Sequence, residues 1–336
     1  MTPPLSEHAI RPKDTAAEQQ RRYLADLDRL LARRAEFVAV ACPACGAQET
    51  TRAFEKHTLA YERCAGCGTV YITPRPPPPV LADYYTHSLN YAYWNEVIFP
   101  ASEAVRRERI FKPRVERVLD LCARYGVEQQ TLVEVGAGFG TFLEELARAQ
   151  RFTRRIGIEP TPPLAATCRQ RGLTVIEAPI EQAAIDGGAN VVASFEVIEH
   201  IFHPAEFVAA CARLLVPGGL LVLTCPNILG FDITVLGPGS PAIDFEHLNY
   251  FHPRSLALLL ERHGFAVVET STPGKLDADI VRNRVLDGSF ALEDPFLRRV
   301  LLDEWAALGE PFQRFLSDNG MSSNMWIVAR KQATKR

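Results

Sequence analysis

The sequence has 336 residues, 47% of them apolar, and a formal net charge of -3. This length predicts one core of ordinary domain size with one small module beside it. The near-neutral charge disfavours RNA and DNA as targets, because it provides no general attraction to a polyanion. The start of the sequence is polar, and no apolar run reaches the roughly 20 residues that cross a bilayer. We therefore expect a cytoplasmic protein without membrane contact.

The first predicted element is a helix within an N-terminal segment at residues 1–40. Thr15 and Glu18 have the spacing of a capping box, and leucines follow at helical intervals to about Arg34. We interpret this helix as a packing element without chemistry.

Two cysteine motifs of the same form, CPACG at residues 42–46 and CAGCG at residues 64–68, come next. Four thiolates at this spacing fit tetrahedral zinc, and a site closed by four sulfurs is structural because no position is left for water. The predicted module spans residues 41–74, too few to build a core of their own. Redox-active cysteines and a nucleic-acid-binding zinc ribbon are the alternatives. The predicted zinc ligands are Cys42, Cys45, Cys64 and Cys67.

Residues 75–130 are predicted to form a linker and a helical cap. A proline run at 76–79 gives a stiff connector, and an aromatic-rich stretch leads into an arginine-rich helix at about 102–125. This segment either covers the mouth of a cofactor site or is an ordinary packing helix.

From residue 131 onward, short apolar runs alternate with helical patterns, which predicts an α/β fold with a doubly wound parallel sheet. The core is predicted at residues 131–272, and a late strand places 321–332 in the same sheet. The intervening residues 273–320 look helical and amphipathic. This insertion could form a lid, a homodimer face or part of the core.

A glycine-rich loop follows the first core strand as VEVGAGFG, and a carboxylate, Glu159, ends the second strand. Glycines let a backbone turn tightly against a ligand, and an acid at this position can accept both hydroxyls of a ribose. A dinucleotide-binding loop would place its third glycine at Thr141. The spacing GxGxG instead favours a methyl donor over NAD, although an oxidoreductase stays as an alternative.

Two further motifs, FEVIEHIFHP at residues 195–204 and LLVPGGLLVLTCPN at residues 214–227, complete the pattern. Together with the glycine loop they resemble class I methyltransferases that modify small molecules and sugars. The resemblance, from about Leu132 to Glu269, implies a seven-stranded Rossmann-like sheet and S-adenosylmethionine as cofactor. The residues that it assigns to the methyl donor are Glu134, Gly136, Ala137, Gly138, Gly140, Glu159, Ala178, Pro179, Ile180, Phe195 and Glu196.

Methyl transfer to a hydroxyl needs a base near the ends of the fourth and fifth strands. The candidates are His247, Glu246 and His200. His247 is the first choice because it lies in a long loop, where substrate contacts concentrate, and a structural role is the alternative. His203 and His252 precede prolines at predicted helix starts and rank lower.

The segment around His247, DFEHLNYF, is similar to the EHLxYF segment of zinc-containing sugar C-methyltransferases that act on nucleotide-linked keto sugars. This chain has Asp244 where they have a tyrosine, and it lacks their large second α/β domain. We therefore expect a small-molecule acceptor, a hydroxyl of a sugar, nucleotide sugar or glycan. Carbon methylation of a keto sugar, an RNA methyltransferase and a non-catalytic binding module are the alternatives.

Overall fold

The N-terminal part of the chain is helical. A computed structural model describes residues 5–333, beginning with α1 (Glu7–Ile10) and α2 (Ala16–Leu31). The predicted capping box is wrong, because the Thr15 hydroxyl donates to the carbonyl oxygen of Pro12 at 2.7 Å and Glu18 accepts from Arg21. The helix also ends slightly before the predicted position.

The cysteine-bearing segment contains three antiparallel strands, β1 (Thr50–Lys56), β2 (Leu59–Cys64) and β3 (Val70–Ile72). Each cysteine motif forms a tight turn, and its final glycine has a positive φ of 78° at Gly46 or 76° at Gly68. The amide of Gly46 donates to the carbonyl oxygen of Cys42, and that of Gly68 to Cys64. The two turns therefore have the same local geometry.

The segment after the third strand is almost entirely helical. The proline run is part helix, because Pro78 is tolerated in the first turn, where an amide hydrogen has no partner to lose. Two π-helical turns, Trp94–Ile98 and Arg107–Phe111, join the later helices. The helices are α3 (Pro78–His87), α4 (Leu89–Tyr93), α5 (Phe99–Arg106) and α6 (Lys112–Tyr125).

The core is a seven-stranded sheet, which confirms the predicted doubly wound fold. Helices separate the first five core strands as the sequence indicated, except that the 3-10 turn Ile180–Gln182 lies between β6 and β7. In chain order the core elements are β4 (Thr131–Val135), α7 (Thr141–Ala149), β5 (Arg154–Ile158), α8 (Pro162–Gln170), β6 (Thr174–Ile176), β7 (Ala189–Phe195), α9 (Pro204–Leu214) and β8 (Leu215–Pro226).

The remaining elements close the sheet and carry the insertion. They are α10 (Phe231–Leu236), β9 (Asn249–Tyr250), α11 (Pro253–Glu261), β10 (Phe265–Ser271), α12 (Asp277–Leu286), α13 (Pro295–Arg298), α14 (Trp305–Asp318) and β11 (Asn324–Lys331).

The strand order of the core sheet is β10-β11-β8-β7-β4-β5-β6. Strand β11 runs antiparallel to both of its neighbours, and the other adjacent strands are parallel. All five residues of β4 are buried, as expected for a strand covered by helices on both faces. The carboxyl ends of β4, β5 and β7 therefore meet at one edge, where ligands bind in such sheets.

A second, four-stranded sheet joins the cysteine segment to the core. Its order is β1-β2-β3-β9, and the pairing of β3 with β9 places Val70 opposite Tyr250 and Tyr71 opposite Asn249. Strand β9 directly follows the segment with Glu246 and His247. This sheet thus connects the second cysteine turn, between β2 and β3, to the segment that carries the predicted base.

The helical insertion packs against α10. Its buried apolar residues Val281 and Leu301 share a cluster with Leu236 of α10. Some apolar side chains stay outside this cluster, and Phe296 is 64% exposed. Across residues 5–333, no helix has the length and apolar content needed to span a membrane.

Candidate active site

The glycine loop after β4 leaves open space at its middle residue. Gly136, Gly138 and Gly140 all have positive φ, at 78°, 54° and 73°. A Cβ atom would lie 2.5 Å from Val197 at Gly136 and 2.3 Å from Leu173 at Gly140, so these two glycines are required by packing. At Gly138 no atom in the described part of the chain lies within 4 Å of that position. The loop thus presents bare backbone to the sheet edge.

The Glu159 carboxylate at the end of β5 lies directly against this loop. One oxygen accepts from the Gly138 amide at 2.8 Å, and the other accepts from the Thr161 amide at 2.9 Å. Each oxygen keeps a further lone pair, which fits a pair of ribose hydroxyls.

Glu134 supplies a second buried carboxylate on the neighbouring strand. It is 3% exposed, and among residues 5–333 its Oε2 atom has no hydrogen-bond partner. Burial raises the pKa of Glu134 well above its usual range, and the guanidinium of Arg114 opposes the shift. Since buried polar atoms are normally paired, this orphaned oxygen fits a ligand that brings an N–H group. The loop and the two acids suit the amino-acid and ribose parts of S-adenosylmethionine.

The residues predicted to line adenine differ in their exposure. Pro179 is exposed and Ala178 is half-buried, whereas Ile180 is 4% exposed and belongs to the main core cluster. The side chain of Ile180 therefore packs inward, and only its backbone lies near the sheet edge.

Phe195 and Glu196 follow at the end of β7. The ring of Phe195 packs against Phe142 and lies under the guanidinium of Arg114, 4.7 Å from its centre. Glu196 has a positive φ of 57°, and its carboxylate accepts from Thr224 at 2.6 Å. This backbone turn directs the chain across the end of the sheet.

Aromatic residues of the helical cap also reach the site, and the sequence did not identify them. Phe99 stacks on Phe139 of the glycine loop, with ring centres 3.8 Å apart. Tyr91 packs edge to face on Tyr85, with ring centres 5.6 Å apart, and burial raises the pKa of the Tyr91 hydroxyl. The aromatic richness of residues 83–99 was the one available signal.

The segment before β9 is held in a fixed turn by Asp244. Its Oδ1 atom accepts from the amides of Glu246 at 2.9 Å and His247 at 2.8 Å. The Glu246 carboxylate accepts from the Tyr84 hydroxyl and from Asn90. Burial raises the pKa of Glu246 to about 7, and the nearby Asp244 adds to the effect.

His200 and His247 lie edge to face, with ring centres 4.6 Å apart. The Nδ1 atom of His200 lies 3.0 Å from the carbonyl oxygen of Glu246, and that of His247 lies 2.9 Å from the carbonyl oxygen of Ala242. A carbonyl oxygen can only accept, so Nδ1 carries the proton in both rings and Nε2 is bare. Burial lowers the pKa of His200 to about 3, and His247 adds to the shift.

Comparison with known proteins identifies the domain that contains this glycine loop. Residues 104–270 match the family model of a methyltransferase domain. The chain contains a class I S-adenosylmethionine-dependent methyltransferase domain.

Three curated relatives illustrate the range of similar proteins. The chain is 34% identical over 151 residues to a probable S-adenosylmethionine-dependent methyltransferase of Mycolicibacterium smegmatis, covering 41% of this chain and 53% of that protein. It is 38% identical over 103 residues to a ubiquinone biosynthesis O-methyltransferase of Methylococcus capsulatus, covering 28% and 43%. It is 30% identical over 166 residues to the C-methyltransferase NovU of Streptomyces niveus, covering 47% and 38%. The chain spans about half the length of the curated relatives it matches.

The four predicted zinc ligands lie outside the matched methyltransferase domain, and the fold brings them together. The sulfurs of Cys42, Cys45, Cys64 and Cys67 all lie within 4.8 Å of one another. Sulfurs bound tetrahedrally at about 2.3 Å from one zinc ion lie about 3.8 Å apart, so this cluster fits the ion. His252, which caps the first turn of α11, donates through Nε2 to the carbonyl oxygen of Cys67 at 2.8 Å. The cysteine turn thus contacts the methyltransferase domain directly.

Proposed function

We propose that this protein transfers a methyl group from S-adenosylmethionine to a hydroxyl of a small polar acceptor, a sugar or a nucleotide-linked sugar. The observation that carries the proposal is the meeting of two groups of residues at one sheet edge. Glu159 and the glycine loop form the donor side, and His247, His200 and Glu246 form the acceptor side. The helical cap contacts both sides, since Phe99 stacks on Phe139 of the glycine loop and Tyr84 donates to Glu246.

On the donor side, the protein positions a reagent that is already activated, since S-adenosylmethionine supplies a methyl group on a positively charged sulfur. Glu159 accepts the two ribose hydroxyls, and the bare backbone at Gly138 lets the donor approach closely. Glu134 accepts the ammonium of the methionine part through its orphaned oxygen. These contacts fix the methyl carbon for in-line attack.

On the acceptor side, the Nε2 atom of His247 is the base. It takes the acceptor's hydroxyl proton while the oxygen forms its bond to the methyl carbon and the sulfur keeps the electrons of the broken bond. The carbonyl oxygen of Ala242 fixes the tautomer that leaves Nε2 bare. Glu246 lies beside this ring and holds the cap through Tyr84 and Asn90.

The segment DFEHLNYF supports a sugar as the acceptor, because it resembles that of sugar C-methyltransferases. The same resemblance, and one relative that is named a C-methyltransferase, favour a second candidate. The second candidate is therefore methylation of a carbon beside a keto group, with the same histidine removing a C–H proton. Asp244, which replaces their tyrosine, accepts two backbone amides here and so supports the turn.

We further propose that the cysteine cluster binds one structural zinc ion. Four sulfurs leave no open coordination position, so this zinc would stabilise the small sheet and take no part in the chemistry.

Substitution of the ribose acid tests the donor side. Glu159→Gln should weaken binding of S-adenosylmethionine and of its demethylated product about 10- to 100-fold, because a charged hydrogen bond contributes about 1.5–3 kcal/mol. Isothermal calorimetry measures both affinities. Glu177→Gln is the matched control, since Glu177 is an exposed acid that pairs with Arg169 after the next strand. Wild-type protein that is folded but binds neither ligand would disprove the proposed activity.

Product analysis separates the two acceptor chemistries. Incubation with methyl-deuterated S-adenosylmethionine and a panel of nucleotide sugars should give a labelled O-methyl ether, seen by mass spectrometry and NMR. A label on carbon next to the keto group would support the second candidate instead.

His247→Ala should abolish turnover in either case while donor affinity is unchanged.

A further inference from the structure

Three side chains with metal-binding atoms converge beside the proposed acceptor position. Glu199 and His200 belong to the 3-10 turn Ile198–His200 after β7, and His247 precedes β9. Each offers one ligand atom, and these atoms all lie within 4.8 Å of one another. The group is distinct from the cysteine cluster, because its ligands are nitrogen and oxygen in place of sulfur.

The hydrogen bonds of the two imidazoles leave the same atom available in each ring. Both Nδ1 atoms lie on backbone carbonyl oxygens, at 3.0 Å for His200 and 2.9 Å for His247. Within residues 5–333, neither Nε2 atom takes part in a hydrogen bond. An imidazole anchored through Nδ1 to a carbonyl oxygen, with Nε2 free, is the arrangement typical of a histidine that binds a metal.

The carboxylate of Glu199 provides an independent observation. Glu199 is 1% exposed, and neither of its carboxylate oxygens has a hydrogen-bond partner within the described part of the chain. Arg114, a nearby cation, pairs with Glu196 at 3.5 Å. A buried carboxylate without any donor is costly, and the two imidazoles of the same group each add a bare nitrogen lone pair. A cation between these three groups would satisfy all of them.

We propose that Glu199, His200 and His247 bind a divalent transition-metal cation such as Mn²⁺, Fe²⁺ or Co²⁺. Two imidazoles and one carboxylate are a ligand set that such ions accept while keeping open positions for oxygen ligands. Ligand atoms about 2.0–2.2 Å from one ion lie roughly 3–3.5 Å apart, so side-chain rotations that draw the three groups inward complete the site.

The cation site adds a way of binding the acceptor to the proposed function. The identity of the acceptor rests on that proposed function. Open positions on the cation suit an acceptor with two neighbouring oxygens, such as a vicinal diol or a hydroxyl beside a carbonyl group. Coordination lowers the pKa of the bound hydroxyl. In the cation-bound form the lone pair of His247 Nε2 holds the metal, so the proton of the coordinated hydroxyl passes to bulk water before the oxygen attacks the methyl carbon. Proton removal by this ring is confined to the cation-free form.

Titration with Mn²⁺ tests the site on the full chain with its cysteine cluster loaded with zinc. Thiolates bind Mn²⁺ poorly, so this ion reports on the nitrogen and oxygen ligands. Free Mn²⁺ is followed by electron paramagnetic resonance, and zinc content by mass spectrometry. We expect about one Mn²⁺ per chain, with affinity at least tenfold lower in Glu199→Gln. His203→Gln is the matched control, since His203 is an exposed histidine close to the cluster.

The outcomes separate this inference from the proposed function. The cation site is overturned if wild type and Glu199→Gln bind Mn²⁺ with equal affinity, or if no Mn²⁺ binds. Calorimetry with S-adenosylmethionine tests the proposed methyl transfer separately. Bound Mn²⁺ that is lost in the variant supports the site, even if the methyl donor fails to bind. Donor affinity also serves as the folding control for Glu199→Gln, and His247→Gln replaces that variant if it does not fold.

Discussion

Gly138 and Gly126 have similar φ angles, but Gly138 lies in the glycine loop and Gly126 follows α6. Their φ values are 54° and 63°, and a Cβ atom at either position would have no neighbour within 4 Å among the residues that the structure describes. An alanine at either site should therefore cost about 1–2 kcal/mol of stability through its left-handed backbone.

Only Gly138 is in contact with the donor side, so the pair of alanine variants separates stability from binding. Gly138→Ala should also weaken S-adenosylmethionine binding at least about tenfold, because the new methyl group occupies the space that the ligand needs. Urea unfolding and calorimetry on both variants check the prediction. Equal donor affinity in the two variants would contradict the assignment of this loop.

Glu246 makes stability depend on pH. Burial raises its pKa to about 7 from 4.5, so the folded chain binds more protons than the unfolded chain between these values. Its contribution to stability is complete below pH 4.5 and is lost as the pH rises through 7. Glu246→Gln should therefore gain stability relative to wild type from pH 5 to pH 8, by up to about 3 kcal/mol.

Urea unfolding at several pH values measures this difference. Glu206→Gln is the control, because that exposed carboxylate stays in water in the folded chain. A difference between Glu246→Gln and wild type that stays constant with pH would contradict the prediction.

The residues that could be predicted from the sequence lie close together along the chain. The glycine loop and the strand-end acid are identified by spacing within a βαβ unit, and Glu159 indeed lies against Gly138. The contacts of Phe99 with Phe139 and of Tyr84 with Glu246 join distant segments. No local pattern encodes such pairs, so the contribution of the cap became visible only in the fold.

At the level of elements, strands of the core were predictable because their apolar runs are continuous. Strand β9 was not, since it has two residues and exists through its pairing with β3. That pairing links the cysteine turns to the segment of His247, and the Ile72 amide donates to the carbonyl oxygen of Leu248 at 3.0 Å.

Loss of a cysteine ligand should therefore loosen the acceptor side and leave the donor side intact. In Cys67→Ser, hydrogen exchange at the Ile72 amide and across residues 243–251 should be at least about tenfold faster, because the sheet is held by the proposed zinc. Calorimetry should show donor affinity within about twofold of wild type. Cys122→Ala is the control, since it removes a buried thiol outside the cysteine cluster. Unchanged exchange in Cys67→Ser would argue against this coupling.

At the level of the whole molecule, the N-terminal segment is tied to the insertion through Glu7. This buried acid accepts from Asn283 at 3.1 Å and from Arg284 at 3.2 Å, and its amide donates to Asp279 at 2.8 Å. Sequence patterns gave no reason to expect contact between α1 and α12.

Removal of the Glu7 carboxylate should destabilise the fold and leave the contacts of the active site unchanged. Glu7→Ala should lower the free energy of unfolding by about 1–3 kcal/mol and speed hydrogen exchange in α12. Glu18→Ala removes an acid that pairs with Arg21 and Arg22 on the same helix, and it should leave the free energy of unfolding nearly unchanged, because water screens such a pair. Equal unfolding midpoints for the two variants would show that the contact does not contribute.

The shared four-stranded sheet has a consequence for synthesis of the chain. Strand β9 can pair with β3 only after the ribosome has added residues 73–248. At usual rates of 5–20 residues per second, this synthesis takes about 10–35 s. During this interval β3 is an open edge that could recruit other nascent strands. Early capture of metal by the two cysteine turns would order the first three strands, and the cell's zinc supply would then influence how much of the newly made protein escapes aggregation.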